Sequence, residues 1–374
     1  MKKVLITGSD GFIGKNLIIN LKHTEGIEPI GFDIEQDRDY LATVLKDIDF
    51  VFHLAGVNRP EKTEDFKTNN SELTGYIVNS LIQHKNFVSI VMTSSTQAEL
   101  ENDYGKSKLE AENHLKRYYE QGGISYIYRL TNVFGKWCRP NYNSVVATFC
   151  YKVANGEEII ISDQKKVLEL IHVDDVVSEF KRLLTNRNHD DIASPDFLTI
   201  TPSYKVTLGE LAELITSFKS MVVSVEIPDM SNDFLRKLYS TYLSYVPPRD
   251  ASYPLTKQSD ERGILFELIK SRSLGQIFVS KTNPGITRGN HFHNQKNEKF
   301  CVVEGTAVIK FRHLITNETH DFFVNSNNPV IVNILPGYIH SITNLGQNEL
   351  ITLFWANEPF DKERPDTFFE KVEK

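Results

Sequence analysis

Val4-Leu5-Ile6-Thr7-Gly8-Ser9-Asp10-Gly11-Phe12-Ile13-Gly14 is the stretch that decides the fold of the N-terminal half. Val4 to Ile6 form a short apolar run, as a buried parallel strand does. Glycines follow at 8, 11 and 14, and helical apolar spacing runs from Asn16 to Leu21. Glycine lets the turn close and lets the backbone approach a pyrophosphate, whose charge the helix N-terminus then favours. A bare glycine triplet is weak evidence; one set directly after an N-terminal strand is much stronger. That placement disfavours the alternative, a plain strand-to-helix turn.

The next strand, Pro29-Ile30-Gly31-Phe32, ends at Asp33. A carboxylate at a strand end, about 20 residues past the glycines, accepts hydrogen bonds from the ribose of NAD and repels a 2′-phosphate. Arg38 lies nearby and offsets that repulsion, so the residues themselves leave NADH and NADPH both open. Phe50 to Gly56 reads as a third strand ending in small residues that suit a dinucleotide, with His53 in it structural. Val88 to Met92 reads as a fourth strand. It leads into Thr93-Ser94-Ser95-Thr96, a hydroxyl cluster at a strand C-terminus, where open α/β sheets bind ligands. A helix over Asp103 to Tyr119 then carries Tyr104 and Lys108 one turn apart on one face. A lysine charge beside a phenol stabilises the phenolate and lowers the tyrosine pKa. Such a tyrosine exchanges protons with an alcohol or ketone oxygen.

The chain has 374 residues, which argues for two domains. A net charge of -7 and no basic run argue against a nucleic-acid partner. Cys138, Cys150 and Cys301 are scattered, as in a reducing compartment. The apolar run of MKKVLITG is too short for a signal peptide, and no stretch reaches membrane-spanning length. The expectation is a cytoplasmic protein without membrane insertion.

From Leu235 to Tyr253 the pattern changes. Tyr239, Tyr242, Tyr245 and Tyr253 crowd around Val246-Pro247-Pro248. Adjacent prolines stop regular structure, so the expected division is 1–245 and 246–374, with the tyrosines packed between domains or on a partner chain. Beyond residue 263 come short alternating strands, as in a β-barrel or jelly roll. Among them stands Gly285-x5-His291-x-His293-x4-Glu298-x6-Gly305. His291 and His293 share a strand face, and Glu298 starts the next strand. His340 follows in Pro336-Gly337-Tyr338-Ile339-His340-Ser341-Ile342-Thr343-Asn344. Imidazole and carboxylate suit zinc, iron, manganese or nickel. His313 and His320 match no motif and are expected on the surface.

On Gly8-x-x-Gly11-x-x-Gly14, His53-Leu54-Ala55-Gly56, Ser94-Ser95, Tyr104-x-x-x-Lys108 and His172-Val173-Asp174-Asp175-Val176, the first 245 residues resemble the extended short-chain dehydrogenase/reductases. That family folds as an α/β Rossmann-type doubly wound parallel sheet and works on nucleotide-sugars. The resemblance implies that Gly8, Gly11, Phe12, Ile13, Gly14, Asp33, Arg38, Leu54, Ala55 and Gly56 bind the nicotinamide cofactor. It implies Tyr104 as the acid/base, Lys108 as its partner on the nicotinamide ribose, and Ser95 as hydrogen-bonding the substrate, with Ser94 and Thr96 as alternatives. Arg129 and Asn132 become substrate contacts. Lys136, Arg139, Asn141 and Asn143 become candidates for holding a diphosphate. His172 and Asp174 are expected to be structural, with Asp174 capping a helix.

Residues 246–374 resemble the cupin superfamily, an all-β jelly-roll barrel. There His291, His293, Glu298 and His340 map onto the metal ligands, most simply for Zn2+, with other divalent metals open. A metal-free sugar epimerase is the alternative. The order of the two parts resembles a family of bifunctional capsular-polysaccharide enzymes, on stretches such as Asn58-Arg59-Pro60 and Gly289-Asn290-His291. That resemblance implies a UDP-4-keto-6-deoxy-N-acetylhexosamine substrate. The cupin would epimerise C3, with Tyr338 one candidate to take the proton, and NADPH would reduce the C4 ketone. The product would be UDP-2-acetamido-2,6-dideoxy-L-talose, and both families imply a homodimer. An NAD-retaining dehydratase or epimerase and a non-catalytic nucleotide-sugar scaffold stand as alternatives.

Overall fold

The computed structural model describes residues 1–58, 62, 64–185 and 197–374, so Arg59 and Pro60 lie outside the described residues. Two compact units result. One comprises Met1–Ile215 and Ser240–Val246, the other Thr216–Tyr239 and Pro247–Lys374.

The first unit is built on a parallel sheet. Its strands are β1 (Lys2–Thr7), β2 (Ile27–Phe32), β3 (Phe50–His53), β4 (Ser89–Ser95), β5 (Ile124–Leu130) and, after two short strands, β8 (Phe197–Leu198). Those short strands are β6 (Asn132–Phe134) and β7 (Val167–His172), which form a separate sheet with β9 (Tyr204–Thr207). The order of the large sheet is β2-β1-β3-β4-β5-β8. Helices connect the parallel strands, because a parallel pair needs a crossover.

Alternate strand residues point to opposite faces. Val4, Ile6, Phe50, Phe52 and Val91 accordingly pack into one buried cluster, and Leu5, Val51, Ile90 and Met92 into another. Both faces are covered, which is why these strands read as unbroken apolar runs rather than alternating ones. The strand order reverses at β1, and at such a switch point the strand C-termini open a crevice.

The second unit is all-antiparallel apart from its helical segments. Its strands are β10 (Lys257–Asp260), β11 (Gly263–Ser271), β12 (Gly275–Thr282), β13 (Thr287–Phe292), β14 (Glu298–Glu304), β15 (Thr306–His313), β16 (Thr319–Asn325), β17 (Ile331–Ile334), β18 (Tyr338–Asn344), β19 (Leu350–Ala356) and β20 (Phe368–Phe369). One sheet runs β10-β11-β12-β19-β14-β17, the other β16-β15-β18-β13-β20. Phe300, Val302 and Phe354 of the first pack with Ile309, Phe311 and Ile342 of the second to make the core.

The tyrosine-rich stretch divides between the units. Tyr245 donates its hydroxyl to the Cys138 carbonyl at 2.5 Å within the first. Tyr239 packs edge-on against Phe218, at 5.1 Å between ring centroids, within the second.

Candidate active site and metal centre

The C-terminal ends of β1, β3, β4 and β5 open onto a cleft of about 960 Å³ in the first unit. Gly8, Gly11, Phe12, Ile13, Gly14, Leu54 and Gly56 line it, together with Ser95, Tyr104 and Lys108. Two of the glycines are required by the turn. Gly8 has φ +69°, and a Cβ on Gly14 would stand 2.0 Å from the Gly8 carbonyl oxygen. No side chain caps the helix Phe12–Lys22 that follows. Its first N–H groups face the cleft without a protein acceptor from the cap, which fits a diphosphate. Ala55 lies behind the turn, its N–H donating to Thr7 Oγ1 at 3.2 Å.

Asp33 ends β2 as read, but it is outside the cleft lining. Its carboxylate accepts from the Asp10 N–H at 2.8 Å and the Ile34 N–H at 2.9 Å. The Arg38 guanidinium lies over the Tyr76 ring, 5.3 Å from its centroid.

The helix Asp103–Glu120 carries Tyr104 and Lys108. Asn102 caps it by accepting from the Gly105 N–H at 2.7 Å. Tyr104 packs near Phe66 and lines the cleft together with Ser95. Of the two serines in the lining, Ser94 is committed to Glu112, to which it donates at 2.5 Å, and this favours Ser95. Burial raises the Tyr104 pKa, and the neighbouring Ser95 hydroxyl only partly offsets it. This corrects the expected lowering. The Lys108 ammonium is turned to the Thr93 carbonyl at 3.2 Å. Burial draws the Lys108 pKa down to about 8, against the raising effect of Glu112.

Two residues here escaped the sequence reading. Asn70 sits in a wide helical turn, Lys67–Glu72, of the π type that recurs at functional sites. It exchanges hydrogen bonds with the Val57 backbone and donates to Ser107 Oγ at 2.9 Å. Glu112 is the other, fully buried below the cleft. Its place four residues after Lys108 was the available signal.

Several expected substrate contacts are engaged elsewhere. Arg129 gives bidentate hydrogen bonds to Glu112 at 2.9 and 2.8 Å, and one to Glu99 at 2.6 Å. Its guanidinium lies 3.3 Å from the Phe197 ring centroid, and it does not line the cleft. Lys136 pairs with Asp174 at 2.8 Å, so Asp174 serves an ion pair within its helix rather than the expected cap. The Asn141 N–H donates to Thr148. Asn132, Arg139 and Asn143 do line the cleft. His53 and His172 are buried, as structural residues are.

In the second unit His291, His293, Glu298 and His340 each offer an atom within 4.8 Å of the others'. A bulge makes this possible. The β13–β18 register slips between Gly289 and His291, so Asn290 is extra and His291 comes opposite His340. Bulges re-aim side chains in this way. His293 Nε2 stands 3.3 Å and His340 Nε2 3.5 Å from Glu298. Both nitrogens are buried without a protein hydrogen bond. Buried polar atoms left in this state call for an ion, so the donor set fits a divalent metal. Burial works to raise the Glu298 carboxyl, but the close His293 and His340 imidazoles and the Lys296 charge outweigh it and hold it below the usual range. Burial, with the neighbouring imidazoles, pulls His291 down to about 3, keeping it neutral as a ligand must be. Tyr338 packs instead against Phe311 and His313. His313 is half-buried rather than on the surface, accepting two backbone N–H bonds in a turn.

Residues 4–193 match the model of the NAD dependent epimerase/dehydratase family. The chain belongs to that family. Residues 258–368 match the polysaccharide biosynthesis C-terminal domain. A Pseudomonas aeruginosa family relative, UDP-2-acetamido-2,6-beta-L-arabino-hexul-4-ose reductase, is 41% identical over 367 residues, 98% of each chain. The structure of capsular polysaccharide assembling protein CapF from Staphylococcus aureus superposes with a TM-score of 0.88 at 43% identity, covering 99% of this chain and 100% of that one. UDP-glucuronic acid 4-epimerase from Bacillus cereus, at 18% identity over 58% of this chain and 84% of its own, shares the fold with a TM-score of 0.51. Membership implies a nicotinamide cofactor, in agreement with the glycine turn. Among the described residues, no helix is long and apolar enough to cross a membrane.

Proposed function

We propose that this chain is a bifunctional UDP-sugar enzyme of surface-polysaccharide synthesis, with the division of labour near residue 245. The second unit, a metal cupin, epimerises C3 of a UDP-4-keto-6-deoxy-N-acetylhexosamine. The first reduces the C4 ketone, giving UDP-2-acetamido-2,6-dideoxy-L-talose. The observation that carries this is the pairing of Ser95, Tyr104 and Lys108 in one dinucleotide-type cleft with a largely buried three-histidine, one-glutamate cluster on the same chain. The Pseudomonas relative is named for reducing a 4-ulose, which supports the position of the ketone.

The chemistry is ordered by acidity. The C3 proton is acidic only while C4 is a carbonyl, so reduction at C4 locks in the epimer. Ser95 holds the C4 oxygen beside Tyr104, whose hydroxyl gives that oxygen its proton. Lys108 supplies positive charge beneath the pair and to the nicotinamide ribose. NADPH supplies the hydride. Asn132 and Asn143 contact the sugar nucleotide, whereas Arg129 braces the wall behind it. His291, His293, Glu298 and His340 hold Zn2+, which supplies Lewis acidity for the carbonyl. Asp33 by its own chemistry suits NADH; the capsular-enzyme resemblance favours NADPH, and Arg38 beside it suits the extra phosphate. A strong NADH preference in steady-state rates overturns that choice. The three free cysteines fit a cytoplasmic site of action, and the homodimer is checked by light scattering.

The test adds NADPH and the 4-keto UDP-sugar and follows absorbance. Tyr104→Phe lowers reduction by about 10²–10⁴-fold. His291→Ala leaves NADPH binding intact and stops C3 exchange with deuterated water. Normal reduction by Tyr104→Phe would sink the mechanism.

A further inference from the structure

The segment 366–373 runs antiparallel beside β13, the strand that carries His291, and its contacts converge on the candidate metal cluster. His293 Nδ1 stands 2.5 Å from the Asp366 carbonyl oxygen. A carbonyl only accepts, so Nδ1 bears the proton and Nε2 is left bare for a cation. The Asp366 carboxylate accepts from the N–H groups of Asn294, Gln295 and Lys296 at 3.1, 2.8 and 2.8 Å. Those residues form the loop from His293 to Glu298. Next, β20 pairs with β13, placing Phe369 opposite His291. The extra residue of the bulge, Asn290, has φ +59°. Its carbonyl accepts from the Glu370 N–H and its Oδ1 from the Val372 N–H, both at 3.0 Å.

A buried latch holds the segment down. Arg312, 3% exposed, donates to the carbonyls of Val372 and Lys371 at 2.9 and 2.8 Å and to the Glu370 carboxylate at 2.6 Å. Lys310 adds an ion pair to Glu373 at 2.6 Å.

We propose that 366–373 is a positioning strap: it aims His291 through the bulge and His293 through a carbonyl, and so sets how tightly the cluster holds a divalent cation. The proposal rests on the metal-centre reading above. Such outer partners change metal affinity by about 10–100-fold. Arg312 acts at a distance, through the strap, and touches no ligand.

The experiment uses the intact chain and zinc alone. Coupling between strap and site is reciprocal, so zinc must steady the strap. Saturating zinc is expected to slow hydrogen exchange at the Glu370 and Val372 amides, and to leave the remote β16 edge unchanged. Competition with a chromophoric chelator is expected to show zinc about 10–100-fold weaker in Arg312→Met, with NADPH binding to the first unit unaffected. Exchange at Glu370 and Val372 that is the same with and without bound zinc overturns the strap, whatever the variant does. An intact chain that binds no zinc overturns the metal-centre reading, and the strap with it.

Discussion

His53 shows how one residue ties the fold to acidity. Its Nε2 meets Thr74 Oγ1 at 2.8 Å and its Nδ1 meets Thr7 Oγ1 at 2.7 Å. The Thr74 hydroxyl already donates to the Asn70 carbonyl, so Nε2 carries the proton and Nδ1 accepts. A second proton on Nδ1 would require the Thr7 hydroxyl to stop donating to it. Burial, with the Lys108 charge, accordingly lowers the His53 pKa to about 3 from 6.5. A base with a depressed folded pKa stabilises fully above its unfolded value and loses that contribution as pH falls. The window runs from 6.5 down to about 3, at roughly 1.4 kcal/mol per pH unit. Urea unfolding at pH 7 and pH 5 should show the loss, and His53→Asn should flatten it. Lys108 gives a second test: with its pKa near 8, reduction should fall as pH rises through that value, read from a kcat/KM profile. Residue types alone identified Tyr104, Lys108 and the glycines. They did not identify Asn70 or Glu112, whose importance comes from burial and partners far away in the chain.

At the scale of elements, the helix Asp103–Glu120 matters most. Tyr104, Lys108 and Glu112 fall at successive turns, so one face carries the phenol, the ammonium and the carboxylate. Glu112 is fully buried and needs Arg129. Arg129→Met would leave that buried carboxylate without its guanidinium, with the Ser94 hydroxyl still donating to it, at a cost of about 3–5 kcal/mol. A fall in melting temperature is expected, larger than in Arg129→Met/Glu112→Leu, where no charge is stranded. A substrate contact would instead raise KM at unchanged stability. The helix and the strands were readable because their periods are local: the expected 103–119 became 103–120. The wide turn at Lys67–Glu72 was not readable, since a π turn has no apolar period of its own. Nor was the Asn290 bulge, which shows only in the pairing of two strands.

The whole molecule is two compact units on one chain, and on the proposed division of labour metal removal should separate two activities. A strong chelator is expected to stop C3 exchange while NADPH still reduces a substrate already epimerised. Equal loss of both activities would contradict the division of labour. By itself, the sequence determined the Rossmann-type half, the all-β half, the glycine turn, the Tyr104/Lys108 pair and the four candidate ligands, because each depends on spacing along a few residues or on a family pattern. Only the tertiary structure decided which of these groups are free to act. It drew Arg129 into a brace, Lys136 into an ion pair and Ser94 onto Glu112, and folded 366–373 back over His291 and His293. The reason is physical: a hydrogen-bond donor or acceptor is spent on whatever neighbour burial brings to it, and those neighbours lie 17, 38 and 73 residues away in sequence.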